Sequence, residues 1–245
     1  MPHEQIVIPT ADGHCPAHLL TPAGTGPWPA VIVYMDALAI RPALIALAQR
    51  IADAGYCVLL PDFFYRAGAY PVMDPVVVFQ GDLMGTIGPL MATTGYGPAT
   101  RDTQALLGWL ETRSDVARFP MGVVGYCMGG GMALTAAGRF PDQIAAAASF
   151  HGGALATDAP DSPHLLAPHI RAEVLVAGAD KDDFYPLAMH QRLVAALDAA
   201  GLRYTAEIYA GALHGWMQTD FPVYDHDAAE RGWAELLALF ARNLG

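Results

Sequence analysis

The chain has little positive charge. Its 245 residues include 13 Lys and Arg against 24 Asp and Glu, so the formal net charge is −11. A protein that follows a nucleic-acid backbone neutralises phosphates with clustered Lys and Arg, whereas these basic residues are scattered singly. We therefore expect neither nucleic acid nor a membrane among its partners. Only 15% of the residues are charged and 53% are hydrophobic, which excludes a disordered chain.

Cysteine is also scarce. Cys15, Cys57 and Cys127 form no C-x-x-C pair and leave an odd number, which is typical neither of a disulfide framework nor of a zinc knuckle. The first residues, MPHEQIVIPTADGHC, lack the basic-then-apolar order of a secretory signal, so we expect a cytoplasmic location. The charge-free segment that could be misread as a membrane span, 119–138, contains Pro120 and six glycines, which predicts a strand, a tight turn and a helix instead.

Motifs for metals and cofactors are missing as well. Nine histidines occur without an HExxH helix. His14 and His18 lie four residues apart, but in an extended strand that spacing separates them by roughly 13 Å. The cluster Asp225-His226-Asp227 lies at a predicted helix start, where capping is the simpler role. No glycine-rich turn matches a dinucleotide or P-loop fingerprint, and we expect no cofactor and no metal.

The chain does contain a regular alternation of strands and helices. The apolar run Ala30–Met35 is typical of a strand covered on both faces, and the helical pattern of Pro42–Ala54 ends at Gly55, as helix C-caps prefer. Parallel neighbours need crossover connections, so the alternation predicts an α/β fold: one domain over 1–245 with a mostly parallel, doubly wound sheet and helices on both faces. The expected order is a hairpin within 6–20, strand 30–35, helix 42–54, strand 56–60, helix 100–112, strand 122–124, helix 129–137, strands 145–150 and 174–177, helix 187–200, strand 205–209 and helix 228–243.

Two long segments do not fit this alternation. Residues 63–99 and 152–171 are rich in Pro, Gly and aromatic residues or His. Long irregular segments inside a compact domain are commonly lids or binding loops. We expect the segment around 63–99 to be an irregular lid or pocket segment.

The sharpest local signal is VVGYCMGGGMAL, residues 123–134. It matches the nucleophile elbow, with the sulfur of Cys127 where a serine oxygen is usual. Such a strained strand-to-helix turn holds the nucleophile clear of the sheet and directs the N–H of Met128 at the reacting atom, where it can stabilise an oxyanion. The alternative is a buried structural cysteine in a glycine-rich turn.

An acidic cluster and a histidine follow the cysteine in the order that elbow hydrolases use. Cys127 precedes the cluster 180–183 after the strand 174–177, and the cluster precedes His214 after the strand 205–209. Ligands gather at the carboxyl ends of strands in open α/β sheets, so each group is expected at the active edge. A lone histidine is more often a surface or core residue, but its Gly-Ala-Leu-His-Gly context places this one in a flexible turn.

Five motifs are spread along the chain: YMDALAIRP, GYCVLLPDFFYR, GYCMGGG, ADKDDFYP and YAGALHGW. Together they resemble the dienelactone hydrolase family of the α/β-hydrolase superfamily. The resemblance implies an α/β-hydrolase fold with Cys127 as nucleophile, His214 as general base and one aspartate of the cluster as its orienter. The family's spacing to a following proline favours Asp182, with Asp180 and Asp183 as alternatives.

The resemblance also implies two residues after the third strand. The family places an acidic side chain there, usually glutamate, that contacts the resting thiol, and the matching position here is Asp36. A carboxylate beside a thiol disfavours the thiolate, so the nucleophile would be quiet until substrate displaces the carboxylate. The alternative for Asp36 is a loop residue or helix cap. The N–H of Ala37 would be the second oxyanion donor.

The chain departs from the family at two arginines. Members that open dienelactones hold the substrate carboxylate with two arginines, whereas here one of these positions is Gln218 and the stretch 81–100 contains no arginine. This puts an anionic-lactone pocket in doubt. Arg66 remains a candidate for meeting an anion, with a salt bridge to Asp62 as the alternative. The other predicted pocket residues, for which aromatic core packing is the alternative, are Tyr34, Tyr65, His151 and Trp216.

We therefore expect a cysteine hydrolase of small esters or lactones that works through an acyl-enzyme, as a monomer or small homo-oligomer. A catalytically silent α/β-hydrolase fold that binds a ligand or a partner protein is one alternative. A redox-sensing thiol is another, and a disulfide between Cys127 and Cys57 would be its sign.

Overall fold

A single eight-stranded sheet runs through the computed structural model, which describes residues 2–245. The strands are β1 His3–Thr10, β2 Gly13–Leu20, β3 Ala30–Tyr34, β4 Cys57–Pro61, β5 Met121–Tyr126, β6 Ile144–Phe150, β7 Glu173–Ala179 and β8 Tyr204–Tyr209. Their spatial order is β1-β2-β4-β3-β5-β6-β7-β8. Only the pairs β1–β2 and β2–β4 are antiparallel. The prediction of a mostly parallel, doubly wound sheet with an N-terminal hairpin is confirmed.

Helices form the crossover connections and cover the sheet. They are α1 Pro42–Asp53, α2 Pro75–Gln80, α3 Leu83–Met91, α4 Tyr96–Glu111, α5 Met128–Arg139, α6 Leu187–Ala199 and α7 His226–Leu244, with 3₁₀ turns at Tyr65–Ala67 and Pro163–His169. α5 packs on the central strands β3, β5 and β6 and against α4. α1 packs on β2 and β4, and α7 packs on β5, β6 and β7.

The central strands form where the sequence has continuous apolar runs. Every residue of β3 (AVIVY) and β5 (MGVVGY) is buried, as expected for parallel strands covered on both faces. The edge strand β8 instead alternates between partly buried and exposed residues until its last position. α1 ends as predicted, because Gly55 follows it with φ +106, a conformation that glycine adopts without steric cost.

The segment 63–99 is more regular than the sequence suggested. Asp74 accepts the Val76 N–H to begin α2, and Asp82 accepts the Gly85 N–H to begin α3. These side-chain caps satisfy N–H groups that the first turn of a helix leaves unpaired, so short helices form despite the Pro and Gly content. The expectation of an irregular segment is therefore wrong for 75–91, while a lid or pocket role for it stays a prediction.

None of the helices in residues 2–245 is both long enough and apolar enough to cross a bilayer.

Candidate active site

Cys127 lies on a strained turn between β5 and α5. Its backbone has φ +54 and ψ −117, a region that non-glycine residues rarely occupy. A Cβ added to Gly125 would lie 1.9 Å from the carbonyl oxygen of Gly129, and one added to Gly129 would lie 2.2 Å from that of Tyr34. Both glycines are therefore required by close backbone approach. The turn presents a half-buried Cys127 at the carboxyl edge of the sheet.

The thiol meets a histidine that lies 87 residues further along the chain. The distance from Cys127 Sγ to His214 Nε2 is 3.1 Å. The other ring nitrogen, Nδ1, lies 2.8 Å from Asp182 Oδ2. The structure thus brings together the three residues that the sequence grouped as nucleophile, general base and orienting acid.

The acid loop distinguishes the three candidate aspartates. Asp182 is 5% exposed, and its second oxygen accepts the Phe184 N–H at 2.8 Å, so both carboxylate oxygens are engaged. Asp180 instead joins the two loops: its Oδ2 accepts the Gly211 N–H at 3.1 Å. Asp183 is exposed. Of the three, the structure brings Asp182 to His214.

His214 is held in an environment that favours its protonated form. Burial alone would lower the pKa of His214, but the hydrogen bonds with Asp182 and Cys127 raise it to about 10. The side chain remains 19% exposed, so a reactant can reach the ring. An imidazolium beside the sulfur stabilises a thiolate, the nucleophilic form of cysteine.

The two predicted oxyanion donors lie on neighbouring segments. Met128 begins α5, and Ala37 follows β3 by three residues. β3 and β5 are paired in register through Tyr34 and Gly125, and the Gly129 backbone approaches the carbonyls of Tyr34 and Met35. The end of β3 therefore contacts the start of α5, which brings the two segments together at the elbow.

Asp36 does not make the contact that the resemblance implied. Within residues 2–245, no hydrogen bond joins its carboxylate to the thiol; instead Arg41 Nη1 binds both carboxylate oxygens, at 2.8 and 3.0 Å. The Leu38 N–H donates to the same group at 2.8 Å. The aspartate is one methylene shorter than the usual glutamate, and an arginine five residues ahead holds it. The loop-residue alternative describes Asp36 better.

Three predicted pocket residues have structural partners. Tyr34 is fully buried in β3, and its hydroxyl lies 2.7 Å from Thr103 Oγ1. The Tyr65 hydroxyl donates to Asp102 at 2.9 Å. Arg66 binds Asp102 through two nitrogens, at 2.7 and 2.9 Å, and also binds Asp12, not the Asp62 that the sequence suggested. Tyr65 and Arg66 thus join the β1–β2 hairpin to α4, and Tyr34 joins β3 to α4.

The other two predicted pocket residues lie in an aromatic cluster next to His214. His151 and Trp216 are both fully buried, and the ring centroid of His151 lies 5.4 Å from that of His214 and 5.9 Å from that of Trp216. Burial lowers the pKa of His151 well below its usual value, and the charge of His214 acts in the same direction. His151 therefore packs against His214 as a neutral ring.

Sequence reasoning missed an apolar rim beside His214. The ring centroid of Phe184 lies 4.9 Å from that of His214, although Phe184 is 56% exposed. Leu213, which directly precedes His214, is also an exposed large apolar side chain. The motif DDFYP contained Phe184, and its place directly after the acid was the available signal.

Among residues 2–245, no group of three or more His, Cys, Asp or Glu side chains has an arrangement that could hold a metal ion.

Comparisons with known proteins identify the family of the chain. The model of the dienelactone hydrolase family matches residues 15–244. A Methylorubrum extorquens protein described as "putative carboxymethylenebutenolidase" is 24% identical over 235 residues, covering 95% of this chain and 78% of that protein. A Bradyrhizobium protein described as "probable 2-oxo-3-(5-oxofuran-2-ylidene)propanoate lactonase" is 28% identical over 227 residues, covering 90% and 86%. A Klebsiella pneumoniae crystal structure described as a "putative dienelactone hydrolase" superposes with a TM-score of 0.85 at 23% identity, covering 98% of both chains.

The matched region includes the elbow, the acid loop and the histidine loop, together with nearly all of the sheet. The chain therefore belongs to the dienelactone hydrolase family, hydrolases of the α/β-hydrolase fold.

Proposed function

We propose that the protein is a cysteine-dependent hydrolase of small ester or lactone substrates that works through an acyl-enzyme. The observation that carries the proposal is the pair of contacts at His214, 3.1 Å to Cys127 Sγ and 2.8 Å to Asp182 Oδ2. Enzymes that transfer acyl groups covalently commonly have a nucleophile hydrogen-bonded to a base, and a third group that orients the base.

The reaction proceeds in two halves. The Cys127 thiolate attacks the carbonyl carbon, and the N–H groups of Ala37 and Met128 stabilise the resulting oxyanion. The tetrahedral intermediate collapses as His214 gives its proton to the departing alkoxide, leaving a thioester on the sulfur. His214 then takes a proton from water, the hydroxide adds to the thioester, and the acid product leaves as the thiolate reforms. Asp182 keeps the ring oriented in both halves.

The surroundings of the thiol support an uncharged, apolar acyl group as the preferred substrate. Phe184 packs against the ring of His214, and Leu213 directly precedes it; both expose apolar side chains. Arg66 is engaged by Asp12 and Asp102, and a fully buried Gln218 stands where the anionic-lactone members carry an arginine. A substrate carboxylate would therefore lose its hydrating water molecules on binding without gaining a cationic partner. Desolvating an unpaired charge costs free energy.

The alternatives have less support. Cys57 is fully buried in β4, and burial raises its pKa to about 12, so it is a poor partner for a redox disulfide. A silent binding protein does not need a strained elbow or a thiol–imidazole–carboxylate chain, both of which cost stability. A cytoplasmic location remains our proposal, and three unpaired cysteines fit a reducing compartment.

The test compares Cys127→Ala with Cys57→Ala, which removes a buried thiol remote from the elbow. We expect Cys127→Ala to lose at least about 10³-fold in kcat on short uncharged esters, because the covalent route is lost. Cys57→Ala should keep its kcat and lose only stability. Ester cleavage by Cys127→Ala at the wild-type rate would contradict the proposed function.

A further inference from the structure

A buried arginine joins two loops of the site. Arg41 is 2% exposed and stands at the N-cap of α1. Its Nη1 binds both oxygens of Asp36, as described above, and also donates to the Ala39 carbonyl at 3.1 Å. Its Nε and Nη2 bind the two oxygens of Asp220, at 2.6 and 3.1 Å. We refer to Asp36, Arg41 and Asp220 as the Arg41 bridge.

The bridge spans the two loops on which the proposed chemistry depends. Asp36 and Ala39 flank Ala37 in the loop after β3. Asp220 lies six residues after His214, in the loop that joins β8 to α7. The guanidinium also lies over the ring of Phe221, 4.9 Å from its centroid. One planar group therefore fixes the distance between the loop of the proposed oxyanion donor and the loop of the histidine.

The charges of the bridge are poorly suited to a purely stabilising role. Two carboxylates share one guanidinium, and the side chains of Asp36 and Arg41 are each 1% exposed, whereas that of Asp220 is 27% exposed. Burying ions costs several kcal/mol per ion, and apolar replacements of such groups are often as stable. Apolar side chains cannot replace the planar guanidinium, whose paired hydrogen bonds fix the positions of the carboxylates on both sides.

We propose that Arg41 is a positioning residue, which holds the Ala37 loop and the His214 loop in register around Cys127. The proposal rests on the proposed function for its kinetic consequences. In this bridge Arg41 binds the carboxylate of Asp36. The Cys127 thiol is hydrogen-bonded to His214 instead of to that carboxylate. The resting site is then a ready nucleophile rather than one quieted by an acid.

The chain offers a matched control. Arg50 also binds a distant carboxylate through two nitrogens, with 2.6 and 2.7 Å to Glu230, and it also lies over an aromatic ring, 4.6 Å from the centroid of Trp233. Arg50 and Glu230 are more than 40% exposed and join α1 to α7 away from the elbow. Arg50→Met removes the same kinds of contact, but the hydrogen bonds that it breaks go to Glu230 in α7 and not to either loop of the site.

The experiment measures kcat, KM and melting temperature for Arg41→Met, Asp220→Asn and Arg50→Met with a short uncharged ester. A displacement of about 1 Å at a reacting group can cost about 10²-fold, so we expect kcat of Arg41→Met to fall about 10²-fold with KM within about threefold. Asp220→Asn keeps a neutral acceptor on a partly exposed side chain, and its kcat should fall about tenfold with little change in melting temperature. Arg50→Met should keep the wild-type kcat.

A second readout needs no turnover. The rate at which iodoacetamide alkylates Cys127 near neutral pH reports whether the imidazolium still supports the thiolate. We expect this rate to fall about tenfold in Asp220→Asn and to stay at the wild-type value in Arg50→Met. If the wild-type protein cleaves no ester, the proposed function fails and alkylation alone decides the role of Arg41.

If Arg41→Met does not fold, Asp220→Asn decides. The positioning role is overturned if Asp220→Asn, and any folded Arg41→Met, keep both kcat and the alkylation rate within about twofold of wild type, which is the noise of such comparisons.

Discussion

The two halves of the sheet's carboxyl edge use their polar side chains differently. In the half formed by β5, β7 and β8, Cys127, Asp182 and His214 form one chain of hydrogen bonds that ends at a half-buried sulfur. In the half formed by β3 and β4, Arg41 and Arg66 are each paired with two carboxylates. The first half leaves reactive atoms for a substrate, whereas the second half holds the backbone in place.

The largest expected effect comes from a substitution that disrupts the backbone of the elbow in the first half. Gly125→Ala places a Cβ 1.9 Å from a carbonyl oxygen of the elbow, so the turn must open. We expect the free energy of unfolding to fall by at least about 4 kcal/mol, measured by chemical denaturation. Gly108→Ala is the control, because its Cβ meets nothing within 4 Å on the exposed face of α4, and it should stabilise by about 0.5–1 kcal/mol. A Gly125→Ala protein of wild-type stability would contradict the packing of the elbow.

The next effect separates the three aspartates. Asp182→Asn keeps the shape of the side chain but removes the charge that orients and stabilises the His214 imidazolium. We expect kcat to fall by about 10²–10⁴-fold, the range for a general acid–base contribution. Asp180→Asn keeps an acceptor for the Gly211 N–H, so it should lose less than about tenfold, and the exposed Asp183→Asn should keep its rate. A loss in Asp180→Asn larger than in Asp182→Asn would reassign the acid.

A smaller effect tests the structural half. Arg66→Met leaves the fully buried Asp102 without its cation, and breaking a buried pair destabilises by about 3 kcal/mol. The exposed arginine of the Arg171–Asp142 pair is the control, and Arg171→Met should lose less than about 1 kcal/mol. Because the hydrogen bonds of Arg66 within residues 2–245 go to Asp12 and Asp102 and not to Cys127, Asp182 or His214, kcat/KM of Arg66→Met should stay near the wild-type value. A selective loss of activity would move Arg66 into the substrate pocket.

A pH dependence tests the protonated form of His214 directly. The folded-state pKa of His214 is raised to about 10, above the unfolded value of about 6.5. Its charged form therefore stabilises the fold fully below about pH 6.5, and this contribution is lost as the pH rises toward 10. NMR titration of the ring should give a midpoint near 10 in the wild type and a lower one in Asp182→Asn. A wild-type midpoint near the unperturbed value would show that the folded protein does not stabilise the protonated ring of His214.

The sequence predicted most of the first half of the edge because its constraints are local. The elbow needs glycine at 125 and 129 for steric reasons, and the triad residues each follow a strand, so short motifs and strand ends were enough. The choice of Asp182 over Asp180 came from loop spacing, and the structure brings Asp182 to the histidine.

The second half could not be predicted in the same way, because no sequence motif relates its charged partners to one another. Arg41 and Asp220 are separated by 179 residues, and Arg66 and Asp102 by 36. Nothing in the local pattern of Asp36 shows that an arginine will bind it before the thiol does. The aromatic residues at strand ends were ambiguous for a similar reason, since the partner of the Tyr34 hydroxyl is Thr103 in α4, a helix remote from it in sequence.

The central claim is that the sulfur of Cys127 carries the acyl group during turnover. The direct measurement is mass spectrometry of tryptic peptides from the wild-type protein, quenched with acid while it hydrolyses a short uncharged ester. We expect an added acyl mass on the peptide that contains Cys127, and no such mass on the corresponding peptide of Cys127→Ala. Steady hydrolysis with no acyl mass on that peptide, or with the mass on another residue, would contradict it.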